Sequence, residues 1–118
     1  MNRPDATLDV PIDPDTVGET IRRALQLGTG RPDLGELSAM HCALRAHISH
    51  LLPAARTSAA RLPQGAVTAH ELRARLDGIE QRAGQQLQPS TFDAHVQIAH
   101  LARDCQYLLA RHTAAARP

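Results

Sequence analysis

The residues best suited to chemistry lie in one short segment, MHCALRAHISHLLP, which spans residues 40–53. It holds three of the seven histidines and one of the two cysteines, namely His41, His47, His50 and Cys42. Imidazole and thiolate groups are preferred zinc ligands, and histidine is the side chain that exchanges protons near neutral pH. The segment therefore suggests a metal site, or a site for acid–base chemistry or ligand binding.

The helical periodicity of this segment separates the four side chains. At about 100° per residue, Leu44 marks the apolar face, and His41 and His47 lie about 60° from it on opposite sides. His50 lies farther round the helix, and Cys42 points nearly opposite the apolar face. The spacing predicts that His41 and His47 flank the core, that Cys42 is exposed, and that the four groups do not converge on one point.

A metal site would need ligands from more than one helix. Only His47 and His50 have the three-residue spacing of ligands on one helical face, and no acidic residue lies beside them. A further ligand would have to come from His70, His95 or His100. The candidate ligand or metal residues are His41, His47, His50 and His70. Core-flanking histidines are the simpler interpretation, and we expect no bound cofactor.

The composition indicates an all-α domain with a core of leucine and alanine. The 118 residues include twenty alanines and fifteen leucines, and both residue types are strong helix formers. Phe92 and Tyr107 are the only phenylalanine and tyrosine, and tryptophan does not occur. Aromatic and β-branched residues, which favour strands, are therefore scarce.

Four capping patterns predict where the helices begin. In each, an Asp, Thr or Ser precedes the apolar periodicity and can accept a hydrogen bond from an unpaired first-turn amide. The patterns are Asp13 before Pro14, Asp33 with Glu36, Thr68 with Glu71, and Ser90 with Asp93. Joined by short loops, these helices predict an antiparallel up-down four-helix bundle, with the second helix kinked near Pro53.

The domain boundaries follow from the same patterns. Residues 1–12 are rich in proline and aspartate and lack periodicity, so we expect a flexible N-terminal arm. Residues 13–113 are expected to form a single helical-bundle domain, and residues 114–118 a disordered tail.

Charge and hydropathy limit the classes of partner. The formal net charge is +1, and the thirteen basic residues, all arginines, are interspersed with acids. This distribution argues against nucleic acid and against a membrane surface as partners. No apolar run reaches the roughly 18 residues of a membrane-spanning helix. We therefore expect a cytoplasmic protein.

The last predicted helix carries a second apolar stripe opposite its core face. It contains Phe92, Val96, His100, Arg103 and Tyr107. Two apolar faces are expected either of a helix at the centre of a bundle or of a helix that forms an interface, where aromatic residues and arginine are typical anchors. The leading hypothesis is a small non-enzymatic accessory protein that binds a protein partner or forms a homodimer. The alternative is a bundle that binds a small-molecule ligand or a metal through its core-flanking histidines.

Residues 19–63 contain three further motifs, IRRAL, RPD and LRxHIxxLLP, the last running from Leu44 to Pro53. In these motifs the chain resembles a group of small actinobacterial (Streptomyces-type) helical proteins of unknown function that are associated with natural-product gene clusters. The resemblance implies a host and a genomic context, natural-product biosynthesis or its regulation, and no activity. It also makes His47 and Pro53 parts of a motif.

Overall fold

Helices account for most of the described chain. A computed structural model of the protein describes residues 12–27 and 33–116. The helices are α1 (Pro14–Gln26), α2 (Leu34–Ala60), α3 (Val67–Ala83) and α4 (Thr91–Ala116). The two described ranges contain no β-strand, so the predicted all-α fold class is confirmed.

Side-chain caps confirm three of the four predicted helix starts, those of α1, α2 and α4. In each, the capping oxygen accepts a hydrogen bond from a backbone amide that the helix itself leaves without a partner. The bonds are Asp15 N–H to Asp13 at 3.1 Å, Glu36 N–H to Asp33 at 2.8 Å and Asp93 N–H to Ser90 at 3.1 Å.

The start predicted for α3 is wrong. The helix begins at Val67 with Ala66 in the N-cap position, so Thr68 lies inside the first turn and provides no cap. The chain enters from a turn in which the Ala66 amide donates to the Pro63 carbonyl at 3.2 Å and Gly65 has a φ angle of 84°. Because glycine adopts that left-handed conformation at little cost, the turn leads directly into the helix. α3 consequently begins without a side-chain cap.

α2 continues through Pro53 to Ala60. Proline at this position removes one backbone hydrogen bond, but Leu51 and Ala55 on either side of it are buried in the core. Packing on both sides therefore holds the helix together across the missing bond. The kink near Pro53 stays a prediction.

The predicted N-terminal arm and C-terminal tail are each described only in part. At the C-terminus, α4 extends to Ala116, so three residues of the predicted tail are helical, as the helix propensity of alanine favours. At the N-terminus, Ile12 is partly buried and packs against the core. Residues 1–11 of the predicted arm and residues 117–118 of the predicted tail lie outside the described residues.

The helices pack as an up-down bundle in which α3 and α4 run antiparallel and α2 and α4 run parallel. Arg75 of α3 reaches Tyr107 and Arg82 reaches Asp104, so earlier residues of α3 meet later residues of α4. The second halves of α2 and α4, in contrast, share a groove lined by Leu51, Ala54, Leu108 and His112, among others. α2 packs more extensively against α4 than against either neighbour in sequence. α2 and α4 are the most extensively packed pair of helices in the bundle.

The core contains leucine, isoleucine and alanine side chains from the packed faces of the helices. Ala94 and Ala102 of α4 are both 0% exposed, and such small side chains let helices approach closely. Cys105 is buried beside them, and burial together with the Asp104 charge raises the pKa of its thiol to about 12, which keeps it protonated and unreactive. None of the described helices is both long and apolar enough to cross a lipid bilayer.

Candidate functional site

The histidine segment lies on α2 as the helical projection predicts. His41 is only 5% exposed and His47 is half-buried, whereas His50 and Cys42 are exposed. The apparent cluster in the sequence is therefore distributed around the helix, and each of these side chains has its own surroundings.

His47 connects α2 to α1. Its Nε2 lies 3.0 Å from the hydroxyl of Thr20, and that hydroxyl lies 3.1 Å from the carbonyl of Thr16, to which it can donate. When Thr20 donates to Thr16, the His47 Nε2–H donates to Thr20, and both polar groups are satisfied. Burial, followed by the nearby charge of His50, lowers the pKa of His47. The arrangement favours a neutral imidazole with a structural role between two helices.

His41 has no comparable partner. Its Nε2 atom is buried and has no hydrogen-bond partner among the described residues. Burial lowers the pKa of His41, the positive charge of Arg45 lowers it further, and a backbone hydrogen bond with Gln85 acts in the opposite direction. The folded protein therefore holds His41 in its neutral form at neutral pH.

The structure does not gather the candidate ligands into a metal site. Within residues 12–27 and 33–116, no group of three or more His, Cys, Asp or Glu side chains is placed to hold a metal ion. His70 is exposed on the first turn of α3, apart from the three candidates on α2, and among these three the nearby charge of His50 contributes to the lowered pKa of His47. A ligand role for any one of these histidines stays a prediction.

The stability of the protein is expected to decrease as the pH falls below about 6.5, the usual pKa of histidine in an unfolded chain. The folded-state pKa of His41 is lowered, so between the two values the unfolded chain binds more protons and unfolding is favoured. Above this range the contribution of His41 to stability is complete. Urea unfolding of the wild type and of His41→Met at a series of pH values would measure the effect.

The His41→Met variant should lose less stability than the wild type over this pH range. His70→Met, which replaces an exposed histidine on α3 that shifts the pKa of neither His41 nor His47, serves as the matched control and should keep the wild-type dependence. Identical pH profiles for the wild type and His41→Met would contradict the assignment of His41 as a histidine buried in its neutral form.

An ion pair that the sequence analysis does not single out joins α3 to α4. The Arg82 Nε donates to Asp104 Oδ2 at 2.7 Å and its Nη2 donates to Oδ1 at 3.0 Å, a bidentate arrangement. The Asp104 side chain is 8% exposed and that of Arg82 is 35% exposed. These hydrogen bonds raise the pKa of Arg82 and satisfy a carboxylate that would otherwise be buried without a partner.

The second stripe of α4 is exposed to solvent over much of its length. Phe92 is 74% exposed and Val96 is 51% exposed, and His100 and Arg103 are exposed as well. α4 already packs against the other three helices, so burial inside the bundle does not account for these side chains. We call Phe92, Val96, His100 and Arg103 the α4 stripe.

Tyr107, the fifth residue predicted for this surface, is half-buried and has neighbours within the chain. The guanidinium carbon of Arg75 lies 3.7 Å from the centroid of its ring, and that of Arg111 lies 5.9 Å from it. Arg75 comes from α3, and no feature of the sequence signals this contact between the helices. Tyr107 therefore belongs to a cleft between α3 and α4 more than to the α4 stripe.

The helix arrangement and the exposed α4 stripe define a small all-α bundle protein with one helix face that no other described helix covers. Residues 15–117 match a family of unknown function (DUF6415), and because the match covers most of the chain, the protein belongs to that family. No curated protein and no solved structure matches the chain.

Proposed function

We propose that the protein is a non-enzymatic binding module that forms a homodimer through the α4 stripe. The observation that carries the proposal is the exposure of Phe92 and Val96, 74% and 51%, one helical turn apart on the same face. A large aromatic side chain beside an aliphatic one, with an arginine on the same face, is the composition typical of an interface core.

The charges flanking the α4 stripe favour a second copy of the chain as the occupant. Asp93 lies beside Phe92 at one end of the stripe and Arg103 lies at the other end, and neither forms an ion pair with any described residue. When two α4 helices pair antiparallel about a two-fold axis midway between these residues, Asp93 of each copy faces Arg103 of the other. An interface of this kind is self-complementary, as a two-fold symmetric dimer requires.

The same pairing places the apolar residues in contact. Phe92 lies next to Asp93, so its ring meets the Arg103 guanidinium of the second copy, which adds a cation–π interaction. Val96 lies nearer the two-fold axis and meets the His100 region of the second copy. Because the net charge of each chain is only +1, long-range repulsion between the copies is weak.

The proposed role is binding, because the α4 stripe offers apolar and cationic contact area. The histidines suited to acid–base chemistry lie in different surroundings on α2, which favours binding over catalysis as the proposed role. The proposed setting, accessory to natural-product biosynthesis or its regulation in an actinobacterial cell, rests on the motif resemblance of residues 19–63. Finding the encoding gene beside biosynthetic genes would support that setting.

Replacing both apolar residues of the α4 stripe with aspartate is expected to separate the dimer into monomers. Two carboxylates cannot be buried in an apolar contact without a large desolvation cost. Light scattering coupled to size-exclusion chromatography should give a dimer mass for the wild type and a monomer mass for Phe92→Asp/Val96→Asp.

The matched control is Val67→Asp, which places the same charge at a valine that is 70% exposed on α3, outside the α4 stripe. This variant should stay dimeric. A wild type that is monomeric at high concentration would overturn the homodimer and leave a different protein as the occupant of the stripe. A Phe92→Asp/Val96→Asp variant that stays dimeric would place the interface elsewhere.

A further inference from the structure

A second surface, remote from the α4 stripe, has the features of a ligand site. It is a cleft of about 500 Å³ between the first turns of α3 and the last turns of α4. Thr68 and Arg75 line it from α3, and Tyr107 and Arg111 line it from α4. Its volume lies within the range of small-molecule pockets, about 300–1,000 Å³.

Two positive charges meet at one aromatic ring in this cleft. The guanidinium carbons of Arg75 and Arg111 lie 3.7 Å and 5.9 Å from the centroid of Tyr107. Neither arginine forms an ion pair with any described residue, in contrast to Arg56 and Arg82. Two like charges held this close are stabilised when an anion lies between them.

One of the arginines that line the cleft has a donor atom that is not paired within the described residues. The Nε atom of Arg111 is buried and has no hydrogen-bond partner among the described residues. α3 begins without a side-chain cap, and Thr68 of its first turn lines the cleft. The Thr68 hydroxyl is a further group of the cleft that can donate a hydrogen bond to a ligand.

The remaining lining residues indicate what kind of anion fits. Leu62 and Leu72 provide an apolar wall, which suits the hydrocarbon part of an organic molecule. Glu71 also lines the cleft and makes no ion pair with either arginine. With two arginines and one glutamate, the net charge of the site is +1. A small molecule with a single oxyanion group matches this charge better than a polyanion does.

We propose that the cleft formed by Arg75, Tyr107 and Arg111 binds a small organic oxyanion, a carboxylate or a phosphate. The two guanidinium groups hold the oxyanion with charge-assisted hydrogen bonds, which are shorter and stronger than neutral ones. The apolar part of the ligand lies on Leu62 and Leu72. This site does not depend on the dimer, since it lies at the opposite end of α4 from Phe92 and Val96.

Tyrosine fluorescence tests the proposal directly. Tyr107 is the only tyrosine and the chain has no tryptophan, so its emission reports on this cleft alone. The full-length protein is titrated with sodium phosphate and, separately, with sodium hexanoate, with sodium chloride at matched ionic strength as the reference. We expect a saturable change with at least one of the two anions and none with chloride; saturation by phosphate alone or by hexanoate alone identifies the class of oxyanion.

Variants then assign the response to the two arginines. Arg75→Gln and Arg111→Gln should each weaken the affinity for the anion about tenfold, because each removes one charged donor. Arg73→Gln, at a neighbouring exposed arginine of α3 outside the cleft, should bind like the wild type. Phe92→Asp/Val96→Asp should also bind normally, which separates this site from the dimer interface.

Two results would overturn the proposal. One is the absence of a saturable response to either anion in the wild type. The other is an unchanged affinity in the Arg75→Gln/Arg111→Gln double variant, because the response would then come from elsewhere. Circular dichroism of each variant checks that the helices remain folded. Because Arg75 is exposed and Arg111 is only partly buried, their substitution by glutamine should preserve the helices.

Discussion

Replacing Leu44 with alanine is expected to lower the free energy of unfolding by about 2–5 kcal/mol, a large fraction of the stability of a domain of this size. Leu44 is 0% exposed on the core face of α2, the helix that packs most extensively against α4. The substitution removes buried apolar surface and leaves a cavity that the surrounding leucines fill only in part. Urea unfolding followed by circular dichroism measures the loss.

Leu34→Ala is the matched control for this prediction. The same side chain is shortened on the same helix, but Leu34 is 46% exposed, so little buried surface is lost. The control should cost less than about 1 kcal/mol. Equal losses for the two variants would contradict the position of Leu44 in the core and the orientation of α2 in the bundle.

Replacing Arg82 with methionine is expected to cost about 3 kcal/mol, because it leaves the buried Asp104 carboxylate without a partner. The Asp104 side chain is 8% exposed and receives two hydrogen bonds from Arg82, at 2.7 Å and 3.0 Å. Methionine preserves much of the packing volume of the arginine stem, so the loss reports on the charge and the hydrogen bonds. Chemical unfolding at neutral pH provides the measurement.

Two comparisons make this prediction specific. Arg56 of α2 pairs with two acidic residues of α3, Asp77 and Glu80, whose side chains are 70% and 62% exposed. Because these ion pairs are exposed, Arg56→Met should lower the free energy of unfolding by about 1 kcal/mol or less. Arg82→Met/Asp104→Leu removes both charges and should be more stable than Arg82→Met alone. A double variant as unstable as the single one would show that the cost does not arise from an unpaired carboxylate.

The sequence predicts most of the fold because helix starts and buried stripes are local features. Asp13, Asp33 and Ser90 cap their helices where the capping patterns place them. The start of α3 is the exception, since Thr68 has the right side chain for a cap but the preceding turn through Gly65 brings Val67 into the helix first. A local pattern identifies a candidate cap, whereas the geometry of the incoming chain decides whether it is used.

The sequence predicts less about the candidate sites because these depend on which helices meet. The helical projection of α2 correctly places His41 and His47 in different surroundings, because their relative orientation depends on one helix only. Asp104 carries a usable signal, a carboxylate on the buried stripe of α4 that requires a cationic partner. Which of the thirteen arginines meets it is settled only by the packing of α3 against α4. The contact of Arg75 with Tyr107 likewise depends on how α3 packs against α4.

The proposed dimer joins these observations, since it explains why α4 carries two apolar faces when its core face already packs against the other three helices. Within the bundle, the end of the second face at Tyr107 is covered by Arg75, and the α4 stripe is left open. A second copy that pairs antiparallel covers Phe92 and Val96 and neutralises Asp93 and Arg103 in the same contact.

The most direct test of this claim is an isotope-filtered nuclear Overhauser measurement on an equal mixture of labelled and unlabelled protein. Phe92 is the only phenylalanine in the chain, so its ring protons are assigned without ambiguity. The antiparallel α4 dimer predicts intermolecular cross-peaks between the ring of Phe92 and the side chain of Arg103. Cross-peaks absent from a sample at high concentration, with relaxation rates typical of a monomer, would contradict it.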